Sequence, residues 1–281
     1  MRLLTRLAGR FVAGEAVEDA VSVVRELNQD GLLATLDHLG ENVSDPDRAK
    51  EAGREYAALL KRIAEEKLDC NISIKLSQLG LALSEELARR NLESLLEEAS
   101  RLGNFVRIDM EGSDLTDKTL GVFRALHGRF KNVGVVIQAS LKRSREDVMR
   151  LVDLGARVRL CKGAYKEPPQ VAYQDKRDVD SNYDLLAKLL LRAPRPAFAT
   201  HDDERIVRAV AAASAAGLKP GDYEIQMLYG LRPRRWRELA AQGHAVRIYV
   251  PYGAHWMPYF YRRLRERKEN ALFVLRNLFR N

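Results

Sequence analysis

The chain has 281 residues, with 47 Lys or Arg against 39 Asp or Glu, a net charge of +8 and 46% hydrophobic content. That length suits one large domain of barrel size, the composition is ordinary for a globular protein, and no run reaches the ~20 apolar residues of a membrane span. Two cysteines, Cys70 and Cys161, form neither a CxxC pair nor a ligand cluster; each sits in an apolar run and reads as a buried thiol in a reducing, cytoplasmic setting.

The opening residues, MRLLTRLAGRFVAGEA, space Arg2, Arg6 and Arg10 four apart, with Leu3, Leu4, Leu7 and Phe11 between them. Transit peptides and membrane-surface helices share such a pattern. Here the helical period continues through VEDAVSVVREL, so residues 1–28 read as an N-terminal helical extension of the domain. Short apolar runs then recur, most followed by a helical pattern. The first is GLLATL (31–36). Ser44, Asp45 and Pro46 announce a helix over 47–67, whose Ala52, Tyr56, Leu59, Leu60 and Ile63 share one face at the 3.6-residue period. NISIKL (71–76) is the second run. Ser84 opens the next helix, with Leu87, Leu92, Leu95, Leu96 and Ala99 inward and Gly103 as its C-terminal glycine.

FVRID (105–109) and VGVVIQ (133–138) follow. Ser144 with Asp147 makes a capping-box pattern before Val148, Leu151 and Val152, and Gly155 ends that helix. Then come VRLCK (158–162), PAFAT (196–200), a helix bracketed by Asp203 and Gly217, YEIQM (223–227), a helix from Arg232 to Ala241 ending at Gly243, and AVRIY (245–249). Residues 254–281 would form the last helices. Eight strands alternating with helices predict an α/β protein of βαβ units, a closed (β/α)8 TIM barrel. No GxGxxG follows a strand, which weighs against an open doubly wound sheet. Residues 1–281 are expected to form a single catalytic barrel domain.

In such a barrel the site lies at the carboxyl ends of the strands. Those ends are polar: Lys75; Asp109 with Glu111; Gln138; Arg159 and Lys162, then Gly163, Ala164 and Tyr165; Thr200, His201 and Asp202; Glu224 and Gln226; Arg247 and Tyr249. Charges in buried strands are costly unless paired, so Lys75, Asp109 and Arg159 must neutralise one another or meet a ligand. The five histidines never pair at ligand spacing, and HExxH, Gx4GK[ST] and GxSxG are absent. No metal site, nucleotide P-loop or serine-hydrolase elbow is therefore expected. What remains is a cationic, hydrogen-bonding pocket for an anionic cofactor with a planar polar ring system, or for a phosphorylated sugar. A Schiff-base aldolase using Lys75 or Lys162 is the alternative enzyme.

Near the end, YGAHWMPYFYRRLRERKEN (252–270) sets Arg262 and Arg263 beside Tyr259 and Tyr261. Adjacent guanidiniums there could clamp a carboxylate or phosphate, while Arg265, Arg267 and Lys268 read as solvent-facing charge. RPRRWREL (232–239) reads as a solvated helix face. Its charge is local, the rest is scattered, and no zinc-finger spacing or RNP-like strand exists, so no nucleic-acid partner is expected.

A set of collinear segments resembles the proline dehydrogenase family, most closely its short monofunctional bacterial members. They are SIKLSQLG (73–80), RIDME (107–111), VIQASLKRS (136–144), VRLCKGAYKE (158–167), FATHD (198–202), YEIQMLYG (223–230), RIYVPYG (247–253) and YRRL (261–264). The resemblance implies a distorted (β/α)8 barrel with a C-terminal helix over the active-site mouth. It implies FAD as cofactor and oxidation of L-proline to Δ1-pyrroline-5-carboxylate, the first step of proline degradation to glutamate. Hydride would go to flavin N5 and electrons on to a membrane quinone. By residue match it assigns Asp109 and Arg159 to catalysis and Met110, Gln138, Lys162, Gly163, Ala164, Thr200 and His201 to FAD. Lys75, Arg262 and Arg263 would hold the proline carboxylate, with Tyr165, Tyr249 and Tyr259 walling the pocket. Gly163 would let the backbone approach the cofactor. Quinone use implies peripheral association with the inner face of the cell membrane.

Overall fold

A computed structural model describes residues 9–40 and 42–266, the last five by backbone alone. After α1 (Val17–Gln29) the chain runs β1 (Leu33–His38), α2 (Pro46–Glu65), β2 (Cys70–Ile74), α3 (Glu85–Arg101), β3 (Val106–Ile108), a 3-10 turn (Ser113–Leu115), α4 (Thr116–His127), β4 (Val133–Gln138) and α5 (Ser144–Asp153). It continues through β5 (Arg157–Cys161), α6 (Lys176–Leu190), β6 (Ala197–Ala199), α7 (Asp203–Ala215), β7 (Glu224–Leu228), α8 (Pro233–Ala241), β8 (Ala245–Tyr252) and α9 (Trp256–Glu266). The strands pair in sequence order, all parallel, and β8 returns to β1 to close the barrel. The ring is uneven, with three-residue β3 and β6 against an eight-residue β8.

Alternation along each strand separates two environments. Leu36, Ile72, Ile74, Val106, Ile108, Val135, Leu160, Ile225 and Ile248 face the helices and are buried in one large apolar cluster. The helices meet them with the faces expected from their period, such as Tyr56, Leu59 and Ile63 of α2. The other face of the strands fills the barrel, and it is polar. Arg159 of β5 donates from Nη2 to Ser73 of β2, 3.0 Å away across the interior. Arg247 binds Glu224 through two bonds of 2.9 Å and donates to the Ala34 carbonyl at 2.6 Å. Barrels of this kind usually fill that space with branched aliphatic side chains. Here it holds a hydrogen-bonded charge network. Arg107 and Arg157 also stack on the Phe105 ring, 4.9 and 4.0 Å from its centroid.

The helix signals worked unevenly. Asp45 caps α2 with Pro46 in its first turn, and Ser84 caps α3 as expected. Gly103, Gly155, Gly217 and Gly243 follow their helices at positive φ. The Ser144–Asp147 capping box does not form. Ser144 is already helical and donates to the Gln138 carbonyl at 2.5 Å, while Asp147 accepts from Arg143. The hydroxyl is used to fasten the β4–α5 loop instead. The N-terminal extension is also not one continuous helix: residues 9–16 are turn and bend, α1 starts at Val17, and residues 1–8 lie outside the described part. Cys70 is buried, but Cys161 is only half-buried and faces the barrel mouth. Among the described residues no helix is long and apolar enough to cross a membrane.

The interior network makes acid sensitivity a direct expectation. Burial would push the Glu224 carboxyl up, but Arg247, Arg107 and the Gln226 amide outweigh it and hold the group well below the usual carboxylate range. A depressed carboxylate contributes stability above its unfolded pKa and loses it as pH falls toward the folded value. Thermal stability should therefore decline as pH drops below about 5, through the ordinary carboxylate range. Glu224→Gln, which leaves Arg247 buried without its partner, should lose about 3–5 kcal/mol at neutral pH and show a flatter acid slope. Thermal denaturation from pH 3 to 7 measures both, and a variant matching the parent at both ends would refute the assignment.

Candidate active site

The strand ends open into a cavity of about 810 Å³, within the range of small-molecule and cofactor sites. Its wall contains Lys75, Asp109, Met110, Gln138, Arg159, Lys162, Gly163, Ala164, Tyr165, Thr200, His201, Tyr249 and Tyr259. Every site residue expected from the sequence whose side chain is described is therefore gathered in one place. Arg262 and Arg263 belong to α9, but their side chains lie outside the described residues. The helical period puts these positions one turn beyond Tyr259. Tyr259 is 5% exposed and on the wall, whereas Tyr261 is 53% exposed and points outward.

At the deep end, Arg159 spans three strands. Its Nε donates to Gln226 Oε1 at 2.6 Å, Nη1 to Asp109 Oδ1 at 2.7 Å and Nη2 to Ser73 Oγ at 3.0 Å. Its guanidinium lies 5.4 Å from the Tyr249 ring centroid. The Tyr249 hydroxyl donates to Asp109 Oδ2 at 2.7 Å. Burial raises the Asp109 carboxyl above its ordinary value, against the attraction of Arg159 and Lys75. Burial, then the Asp109 and Asp37 charges, keep Tyr249 protonated far above neutral pH, so it remains a donor. Both Asp109 oxygens are engaged, one by guanidinium and one by phenol. That arrangement suits a fixed negative charge that orients its neighbours.

Lys75 extends from the end of β2 to Asp37, with Nζ 3.1 and 2.9 Å from the two carboxylate oxygens. Both side chains are buried, 7% and 0% exposed. Asp37, the buried partner that holds Lys75 at the mouth, does not stand out in the sequence. The first apolar run was ended at Leu36, while the strand continues to His38 and its pairing sets Asp37 opposite Ser73. The alternation Thr35, Asp37 was the available signal.

The outer end is built by β5, β6 and their loops. Lys162 pairs with Asp180 and, at 2.8 Å, with Asp202. Asp202 also caps α7 through the Glu204 amide. Burial pushes its carboxyl up, but the Lys162 bond prevails and brings it down to about 2. His201 Nε2 accepts from the Leu228 amide at 2.9 Å, which places the ring proton on Nδ1. Arg232, expected to be solvated, turns inward: its Nη1 donates to the His201 carbonyl at 2.6 Å and it joins the cavity wall. Gly163 is also required by the local backbone, whatever approaches it from the cavity. It has φ +111°, and a Cβ there would lie 2.2 Å from Ser140 Oγ.

The wall fits a planar ring with an anionic tail. Met110, Val136, Ala199, Met227 and Leu228 give it apolar stretches, Gln138 and Thr200 hydrogen-bonding groups, and Lys162, Lys176 and Arg232 cationic groups, which Asp180, Asp202 and Asp203 balance. No group of His, Cys, Asp and Glu suited to a metal occurs among the described residues. A Schiff-base lysine is usually activated by desolvation or by a neighbouring cation. Lys75 and Lys162 instead face carboxylates.

Comparisons with known proteins point to one family. A family model described as proline dehydrogenase matches residues 20–276. The chain is 44% identical over 278 residues to Proline dehydrogenase 1 of Bacillus subtilis subsp. natto, covering 98% of this chain and 92% of that one. It is 39% identical over 280 residues to Proline dehydrogenase of Deinococcus radiodurans, covering 98% and 90%. Among solved structures it is similar to proline utilization A (PutA) from Bdellovibrio bacteriovorus inactivated by N-propargylglycine. The TM-score is 0.86 with 28% identity, over 92% of this chain and 32% of that much longer one.

Proposed function

The chain belongs to the proline dehydrogenase family, and from that premise we propose how its barrel mouth carries out the reaction. The protein is an oxidoreductase acting on proline, in proline catabolism. Loss of a hydride from the ring carbon beside nitrogen and of a proton from nitrogen turns proline into Δ1-pyrroline-5-carboxylate. Members of the family are flavoenzymes in general, and we assign FAD to the cavity. Met110, Gln138, Lys162, Gly163, Ala164, Thr200 and His201 would hold it. Bound there, FAD would supply a two-electron, hydride-accepting ring.

The protein's own groups bind, orient and exclude water. Lys75 supplies positive charge for the proline carboxylate from the barrel side. Arg262 and Arg263 would supply the rest from the lid helix, where the planar arginine fork suits a carboxylate. Tyr165, Tyr249 and Tyr259 give the mostly apolar ring a wall and a defined orientation. Arg159, held by three strands, is a fixed positive charge in the cavity wall that would offset negative charge gained by the cofactor on reduction. Asp109 balances that charge and aims Tyr249. Electrons would then pass to a quinone, which implies peripheral contact with a membrane. Residues 1–281 would act as one catalytic barrel domain.

The observation that carries this reading is the convergence of Lys75, Asp109, Arg159 and Tyr249 on one cavity, the last three linked by hydrogen bonds and Lys75 held beside them by Asp37. The visible spectrum tests it. Protein purified or reconstituted with FAD should show a flavin band that bleaches on anaerobic addition of L-proline. A colourless protein that takes up no FAD, or a flavin that proline leaves oxidised, would refute it.

A further inference from the structure

Helix α9 closes one side of the cavity with Tyr259, yet its buried residues do not join the main barrel core. Trp256, Tyr259 and Phe260 pack in a second apolar cluster with Phe11, Val12, Leu39 and Leu231. A helix of this length has little stability by itself, so its orientation must come from what it packs against. Much of that support comes from residues 9–16, which have no regular secondary structure. Phe11 is fully buried and lies 6.2 Å from the Phe260 ring centroid. The Trp256 indole donates to Glu15 at 3.2 Å.

The segment is itself pinned to the barrel rim. Ala13 N donates to the Pro251 carbonyl and Gly253 N to the Gly14 carbonyl, both at 2.9 Å. Arg10 Nε donates to the Gly230 carbonyl at 3.3 Å. At Gly230, a Cβ would come within 1.6 Å of the Arg10 carbonyl oxygen, so the two backbones lie in direct contact. Gly14 makes its own turn at φ +119°. The segment thus bridges the end of β8, the β7–α8 loop and α9.

We propose that residues 9–16 are a positioning strap for the lid helix. Phe11 and Glu15 set where Tyr259 stands in the cavity and thereby how tightly proline binds. This rests on proline being the ligand of the mouth. Phe11 supports α9 from beneath Phe260, the neighbour of Tyr259. Glu15 fixes the first turn of the helix through Trp256. Neither touches substrate, and both act through the helix.

The test uses the full-length FAD-loaded enzyme with Phe11→Ala, Phe11→Leu, Glu15→Ala and Glu15→Gln. Glutamine keeps an acceptor for the indole and leucine keeps apolar bulk, so these two should behave like the parent. The alanine variants should raise KM for proline roughly tenfold, the equivalent of about 1.4 kcal/mol of binding, with kcat and the flavin spectrum within twofold. Chymotrypsin should cleave them after Tyr259 and Phe260 about tenfold faster, at the rate set by local opening. A non-oxidisable five-membered ring carboxylate should slow that cleavage. Parent-like KM and cleavage in both alanine variants would overturn the proposal. So would a joint fall of kcat, flavin content and proline affinity, which marks general unfolding. If the parent itself leaves proline unoxidised, the substrate reading fails, while the cleavage rates still decide whether the strap holds the helix.

Discussion

Arg159→Lys should reduce kcat for proline oxidation by about 10²- to 10³-fold, the cost of losing one preorganised electrostatic donor. The substitution keeps the charge and removes the geometry. Arg159 reaches Gln226, Asp109 and Ser73 with three separate nitrogens, so the guanidinium plane is fixed by β7, the end of β3 and β2 together. A lysine ammonium is a compact charge on a flexible stem and cannot make three such bonds in one plane. It would settle on one partner and leave the others unsatisfied. Asp109 would then keep the Tyr249 bond and lose its guanidinium. Stopped-flow reduction of the bound flavin by proline under anaerobic conditions gives the rate, and the flavin absorbance before mixing gives the loading. A fully loaded variant reduced within fivefold of the parent would make Arg159 a structural residue only.

Lys75→Met should be the most destabilising substitution at the mouth, at about 3–5 kcal/mol, because it strands a buried carboxylate. Asp37 is fully buried, and both its oxygens accept from the Lys75 ammonium. The same substitution should weaken proline binding, since a positive charge beside the carboxylate is lost. These effects have different owners and can be separated. In Lys75→Met/Asp37→Asn the stranded charge is gone, so most of the lost stability should return. The proline KM should stay raised, because asparagine restores no cation. Urea denaturation and steady-state kinetics on the two variants and Asp37→Asn form the cycle. Recovery of KM in the double variant would show that Lys75 serves Asp37 alone.

The barrel and most of its mouth were legible in the sequence because both are written in short-range patterns. Strand and helix alternate with different periods, and charged residues at the ends of apolar strands must pair with one another or meet a ligand. What escaped depended on register or on competition. Asp37 fell one residue beyond an apolar run, and only its pairing opposite Ser73 shows that it faces Lys75 across adjacent strands. Ser144 had two acceptable uses, and the Gln138 carbonyl won over the helix amide. Arg232 looked like one more charge on a basic helix. At φ +57° it instead sits at the helix entrance and turns toward His201. The strap is irregular backbone with one fully buried phenylalanine, and local periodicity contains no sign of that. Tyr259 and Tyr261 were separable only once the helix was docked.

The seam between β1 and β8 bears on the order of events during synthesis. Six residues of β1, Leu33 to His38, pair with Arg247 to Tyr252. The ring therefore stays open until nearly all of the described chain has left the ribosome. Arg247 bonds the Ala34 carbonyl and Tyr249 bonds Asp109 only after that, contacts separated by 213 and 140 positions. Loop closure over such distances is slow compared with local helix formation. A nascent chain will carry its βα units before it has a working mouth, and its first and last strands will remain exposed edges in the interval.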